Sequence, residues 1–457
     1  MDPRILPRFR LLLAALLLAF TAGCGAWMSD PGPEAKGVAQ RIASDIKDYR
    51  NGLPPKPDRQ DAKTYVRSGN LFAQVYEQVQ LHYVREVDEE KLVLAASQEM
   101  RKRYPDPSKA NDRELVEAAV YGMLGSLDSY STYLDEEHWR SLREQTRGRF
   151  GGLGIEVRKE GEFIEIVSPI DGTPAAKAGL RTGDRILKAD GASLTGVALR
   201  EAVLHLRGEP GSKVILSIKR GEKPPFDVTL ERAIINIAAV RWRTEGNIGY
   251  LRITSFSERV GEEVAEAVVA LKKALGPKAR GLIIDLRNNP GGLLDQSIKV
   301  SDMFLNKGRI VSTRERFFEH HYDALAGDLM DGLPIVVLIN NGSASAAEIV
   351  AGALKDQHRA TLVGTKSFGK GTVQTIIPLS GSDAVKLTTA IYLTPSGHSV
   401  DGGIVPDYVV PMEEKDKDGS DAGETGDTKD KNDVQLKSAM SLLSGQAVAT
   451  PSTTSVR

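Results

Sequence analysis

An apolar run, Leu333 to Ile339, passes without a spacer into Asn340-Asn341-Gly342-Ser343-Ala344-Ser345-Ala346-Ala347-Glu348. Behind it Ala347, Val350, Ala351 and Leu354 recur at helix spacing, so the pattern predicts a strand, a turn of small residues and a helix in direct succession. A chain with that order is constrained to a layered α/β arrangement, and it presents a small hydroxyl residue where a strand turns into a helix. Free N–H groups at a helix start can hold an oxyanion, and small neighbours let a substrate backbone come close. After a helix-length interval, Ser367-Phe368-Gly369-Lys370-Gly371-Thr372-Val373-Gln374 sets a lysine between two glycines, on a loop that can reach the same point. Serine with an uncharged lysine is a nucleophile–base pair that needs no histidine.

At 457 residues the chain exceeds one core and predicts two or three domains with tails. Lys and Arg total 60 against 61 Asp and Glu, which leaves no general attraction to nucleic acid or to an anionic membrane. Cys24 is the only cysteine, so an intramolecular disulfide framework and a thiolate metal cluster are excluded. No zinc or calcium ligand spacing is visible, and neither metal nor cofactor is expected.

The start of the chain carries Arg4, Arg8 and Arg10, then an apolar run Leu11 to Phe20 and the small step Thr21-Ala22-Gly23 before Cys24. This pattern resembles a bacterial lipoprotein signal, with Cys24 as the lipidated first residue of the mature protein. An uncleaved anchor or ordinary cleavage nearby are the alternatives, and all three export the protein to the cell envelope.

Along the chain we expect a signal over 1–24, a tether over 25–63, a helical segment over 64–147 and a glycine-turn, short-strand domain over 148–234. An α/β core over 235–412, a disordered charged linker over 413–433 and a short helix with tail over 434–457 complete the order. In the second domain Gly152-Leu153-Gly154-Ile155 resembles the carboxylate-binding loop of PDZ domains. Gly172-Thr173-Pro174-Ala175-Ala176-Lys177-Ala178-Gly179-Leu180 and Gly183-Asp184-Arg185-Ile186-Leu187 resemble their middle. Glycines around an apolar residue let successive N–H groups turn toward one anion, beside a strand edge open to an extended peptide.

Taken with Asp285-Leu286-Arg287-Asn288-Asn289-Pro290-Gly291-Gly292, these motifs resemble the carboxyl-terminal processing, or tail-specific, proteases over roughly Val75 to Val410. The resemblance implies a crotonase-like α/β protease core with an inserted PDZ domain and an N-terminal helical segment. It implies Ser345 as nucleophile, Lys370 as general base and Gln374 as the residue that orients the amine. Ser343, two residues earlier, is the serine most easily confused with Ser345. For the oxyanion hole we expect the backbone N–H of Ala346 with one from Gly291 or Gly292. Asp285 and Arg287 are expected to hold that loop. Arg207 matches a family arginine proposed to link PDZ position to activity. The implied partners are proteins or peptides with free C-terminal tails, with room for an adaptor protein, and a homo-oligomer is expected. The membrane is reached through lipid on Cys24.

A lysine base must lose its proton, so Lys370 has to be desolvated or set beside another cation. Two other readings stay open. One is a lipid-anchored PDZ scaffold with an inactive protease fold. The other is a Ser-His-Asp hydrolase, although none of His82, His138, His205, His320, His321, His358 and His398 sits in a motif typical of a catalytic histidine.

Overall fold

The computed structural model describes residues 30–51, 63–411 and 433–445, with side chains from residue 70 onward in the second stretch. Cys24 and the signal over 1–24 lie outside the described residues, as does nearly all of the linker over 413–433.

The first helix, α1 (Pro33–Arg50), corrects the tether expected over 25–63. Ala35, Val38, Ala39, Ile42 and Ile46 recur at helix spacing and are buried, so this stretch packs instead of dangling. Its last residue, Arg50, is buried and donates to the carbonyls of Pro107 and Ala110 and to Asp112. The prolines from Pro54 onward have linker character, whereas the periodic residues before them form this helix.

Four further helices follow, α2 (Lys63–His82), α3 (Glu89–Arg103), α4 (Asp112–Gly125) and α5 (Glu136–Arg147). Asp88 caps α3, and Asn111 with Glu114 closes a reciprocal capping box on α4. The apolar faces of α1 to α4 enclose one core with Ile377, Leu379, Val385 and Leu387. The helical segment is thereby seated on a sheet of the α/β core. That sheet joins Thr132–Leu134, Ala384–Leu393, Arg309–Arg314 and Glu319–Asp323 in this order, with Thr372–Pro378 also paired to Ala384–Leu393.

Arg149–Gly152 pairs antiparallel with Ala233–Asn236, so the chain enters and leaves the next domain through one two-stranded hinge. Beyond it lies a separate five-stranded path, Ile155–Glu160, Phe163–Pro169, Arg185–Ala189, Lys213–Lys219 and Phe226–Glu231, with helices α6 (Pro174–Lys177) and α7 (Leu199–Leu206). Among the described residues Ile155–Glu160 pairs on one side only, which leaves its other edge open.

The main sheet of the core has the order Val240–Glu245, Ile248–Ile253, Gly281–Asp285, Ile335–Ile339, Ala360–Gly364, Tyr408–Val409. All pairs but the first are parallel. Gly281–Asp285 and Ile335–Ile339 are buried at every residue, as parallel strands covered on both faces must be. Helices α8 (Val260–Leu275), α9 (Leu294–Asp302) and α10 (Ala346–Asp356) cover one face. The other face is closed by the last helix, α11 (Val434–Leu443), whose Leu436, Ala439 and Leu443 pack on Ile248, Ile283, Val336, Leu338 and Val363. Each fully buried leucine there contributes roughly 1.5–3 kcal/mol. Among the described residues no helix is long and apolar enough to cross a membrane, and no group of three or more His, Cys, Asp or Glu is arranged to hold a metal.

Candidate active site

Ser345 stands immediately before α10, at the end of the turn Asn340–Ala344 that follows the buried strand Ile335–Ile339. Its backbone has φ 54° and ψ −116°, a left-handed conformation that costs a non-glycine residue about 1–3 kcal/mol and is kept only where the surroundings enforce it. Such a sharp strand-to-helix turn lifts a side chain out of the backbone path. Ser345 is half-buried, whereas Ser343 is fully buried. The Ser343 hydroxyl donates to the Leu286 carbonyl at 2.8 Å and accepts from the Asn340 N–H at 3.0 Å, so it holds the turn together.

The turn also leans on the glycine loop. Asn288 and Asn340 exchange hydrogen bonds, and the Ala344 N–H donates to the Asn289 carbonyl at 2.9 Å. Gly291, at φ 96°, lies so close that a Cβ there would come within 2.9 Å of Ser345 Cβ and of the Ala346 nitrogen. Only glycine fits this position. The Gly291 amide, however, is committed to Asn289 Oδ1 at 2.8 Å. The amides of Gly292 and Ala346 have no acceptor among the described residues. Of the two glycines offered by the sequence, Gly292 is therefore the one with an available donor.

The lysine loop reaches the turn through Glu348, a residue to which the sequence analysis assigns no role. Its carboxylate is completely buried in the first turn of α10. Oε2 accepts from the Ser345 N–H at 2.8 Å and the Lys370 N–H at 2.9 Å. Oε1 accepts from the Ser367 hydroxyl at 2.6 Å and the Gly369 N–H at 2.7 Å. Tyr392 adds a longer hydroxyl contact at 3.4 Å. Ser-x-x-Glu is the spacing of a helix capping box, and that was the available signal for it.

Lys370 is half-buried, and its amine titrates below the ordinary lysine range. Burial is the main cause, the positive charge of Lys386 adds to it, and Glu348 and Asp128 oppose it. The amine lies 5.0 Å from the centre of the Tyr130 ring and makes no hydrogen bond among the described residues. Tyr130 is held there by Asp128, which accepts from the amides of Tyr130 and Ser131 at 2.7 Å each. Gln374 sits nearby on the strand Thr372–Pro378, but its Nε2 donates to Thr372 at 2.9 Å and to Thr388 at 3.4 Å. The structure thus assembles the backbones of both loops while the lysine side chain rests on an aromatic face.

In the small domain Leu153 is buried and Gly154 has φ 73°. The Leu153 carbonyl accepts from Ala175, and that of Gly154 from Ile170 and Thr173. The amides of Leu153 and Gly154 have no acceptor among the described residues, next to the open edge that begins at Ile155. Gly152 closes the hinge opposite Ala233. Arg207 ends α7, stacks 4.3 Å from the Phe150 ring and donates to Glu144 at 3.3 Å. It ties the small domain to α5 across the hinge.

His358 follows α10 at its far end and lines an open cavity of about 590 Å³ together with Lys355, Arg359 and Asp407.

The profile of peptidase family S41 matches residues 247–410, and that of the PDZ domain matches residues 151–230. A carboxy-terminal-processing protease of Bartonella bacilliformis is 49% identical over 367 residues, covering 74% of this chain and 84% of that protein. The carboxy-terminal processing protease CtpA of Bacillus subtilis is 40% identical over 298 residues, covering 63% of this chain and 62% of its own length. Among solved structures, a photosystem II D1 C-terminal processing protease shares 29% identity with a TM-score of 0.46, over 74% of this chain and 92% of that one.

Proposed function

The chain belongs to the carboxy-terminal-processing proteases of peptidase family S41, with a PDZ domain in its fold, and from that premise we propose that it is an exported serine endopeptidase working through Ser345 and Lys370. The observation that carries the reading is the Glu348 carboxylate, which holds the amides of both residues on one oxygen.

Catalysis starts with a swing of the Lys370 side chain off the Tyr130 ring toward Ser345. The amine, biased toward its neutral form by burial and by Lys386, takes the Ser345 proton as the hydroxyl attacks the scissile carbonyl. The developing oxyanion is received by the N–H groups of Ala346 and Gly292. The resulting ammonium then protonates the leaving amine, and water hydrolyses the acyl-enzyme with Lys370 again as base. Gln374 orients the amine once it has moved, giving up its contact to Thr388.

The PDZ domain selects what is cut. A free C-terminal carboxylate is received by the loop Gly152-Leu153-Gly154-Ile155, and the tail adds as a strand along the open edge of Ile155–Glu160. Arg207, at the hinge, couples the position of that domain to the core. Cys24 carries lipid after export and keeps the enzyme on the membrane. Fatty-acid labelling should mark wild type and not Cys24→Ala, and an unlabelled wild type would refute the anchor. A homo-oligomer and an adaptor that delivers tails belong to the same reading, and light scattering with activity on purified substrate alone tests both.

The central test is digestion of an unfolded protein by the purified chain and by Ser345→Ala, with cut sites read by mass spectrometry. Cleavage by wild type only is expected. Equal cleavage by Ser345→Ala would remove the assignment.

A further inference from the structure

The C-terminal helix is wired to the glycine loop. Asp433 caps α11 by accepting from the Leu436 N–H at 2.9 Å, and its carboxylate also receives Arg287 at 3.0 and 2.7 Å across 146 residues of sequence. Arg287 is buried, and all five of its guanidinium N–H groups are engaged. Nε donates to Asp285, Nη1 to Asp433 and Gln435, and Nη2 to Asp285 and Asp433. Asp285 is fully buried and additionally takes the Tyr250 hydroxyl at 2.7 Å and Arg252 at 3.1 Å.

The charges of this cluster cancel only when the tail is docked. Arg252 and Arg287 face Asp285 and Asp433, and without Asp433 the buried Arg287 shares its one remaining carboxylate, Asp285, with the partly exposed Arg252. From Arg287 the chain runs directly into Asn288, Asn289, Pro290, Gly291 and Gly292. Asn288 is locked to Asn340, and Asn289 to Ala344, Gly291 and the Ile253 carbonyl. A shift of Arg287 is therefore passed to the Gly292 amide and to the turn bearing Ser345.

We propose that Asp433 is a positioning residue for the oxyanion loop: the docked C-terminal helix, through Arg287, holds the Gly292 N–H where the developing oxyanion needs it. The proposal rests on the Ser345 reading above. Because residues 412–432 connect the helix to the core, docking is intramolecular, and a cut in that charged segment would lower turnover while leaving Ser345 and Lys370 in place.

The test compares wild type, Asp433→Asn and the exposed neighbour variant Lys437→Ala in the full chain. Turnover, KM and inhibition by a peptide ending in boro-alanine are measured, because a tetrahedral boronate on Ser345 places its charged oxygen in the oxyanion hole. Asparagine keeps the helix-capping oxygen and removes the charge together with the second oxygen, which accepts from Arg287 Nη2. For Asp433→Asn, kcat should fall about ten- to a hundredfold and boronate affinity should weaken by a similar factor, with KM within about twofold. Lys437→Ala should match wild type. If Asp433→Asn fails to fold by circular dichroism, Gln435→Leu removes one Arg287 contact and one bond to the Val410 carbonyl, and the same split is expected at about threefold. Unchanged kcat and boronate affinity in the folded variant, with wild type inhibited, would overturn this proposal alone. A wild type blind to boronate together with an active Ser345→Ala would overturn the Ser345 reading and this one with it.

Discussion

The turn that bears Ser345 and the loop that bears Lys370 share one carboxylate, yet they are built in different ways. The turn is made from consecutive residues: a buried strand, a strained serine and a helix whose first nine residues are all buried. Its reactive group is placed by the backbone. The lysine loop runs through Ser367 to Gly371 without regular structure, and its amides, not its amine, are what Glu348 fixes. The amine lies on Tyr130, a residue of the helical segment, and its charge is tuned by Lys386 on a strand. On the proposed reading, the nucleophile is prebuilt locally, while the lysine base depends on what distant elements bring to it.

Loss of either side chain is the first way to break the comparison. Ser345→Ala and Lys370→Ala should each reduce proteolysis by a factor on the order of a thousand or more with folding retained, whereas Ser343→Ala should keep activity. Ser343→Ala removes a buried hydroxyl bridge, so its cost is about 1–3 kcal/mol in stability. A casein digest beside a denaturant melt separates the two outcomes, and full activity of Lys370→Ala would end its role as base.

Glu348 is where the two regions are joined. Glu348→Ala leaves five donors without their acceptor, and both a loss of several kcal/mol in stability and a fall in kcat of roughly a hundredfold are expected. Retained kcat in a folded Glu348→Ala would show that the loops find each other without it.

The PDZ loop resembles the Ser345 turn in being a site made of backbone. If its amides receive a carboxylate, an amidated tail should be cut about tenfold more slowly than a free one, since charge-assisted hydrogen bonds of about 1.5–3 kcal/mol are weakened. Equal rates would leave the Ser/Lys chemistry standing and remove tail capture by this loop.

The smallest effect sharpens the contrast from the lysine side. Activity should rise with pH through a lysine pKa below its ordinary range, because only the neutral amine accepts the Ser345 proton. Lys386→Met removes a like charge, raises that pKa and moves the acid limb to higher pH. Tyr130→Leu removes a contact that favours the ammonium, lowers the pKa and moves the limb to lower pH. Limbs that coincide in all three proteins would show that neither neighbour tunes the base.

Much of this site is legible along the chain because its parts are contiguous. Apolar runs of strand length, small residues at a turn and glycines around a loop encode backbone geometry within a few residues, so Ser345, Lys370 and the glycine pair can be found from spacing and family motif. The spacing also held the helix Pro33–Arg50, but proline punctuation outweighed periodicity in its reading. Glu348, Tyr130, Lys386 and Asp433 were not legible as parts of one site, since each looks like an ordinary solvated or capping residue in its own segment. The choice between Gly291 and Gly292 was equally hidden, because it turns on which amide Asn289 occupies.

What the sequence by itself supplied is the α/β core with its PDZ-like insertion and Ser345 with Lys370 as the candidate pair, all properties of local pattern. What only the tertiary structure decided is which charges meet. Burial of Glu348 among donors from two loops, of Arg287 between Asp285 and Asp433, and of the Lys370 amine near Lys386 arises when segments far apart in sequence are packed together. Electrostatic energies become large only where that packing excludes water.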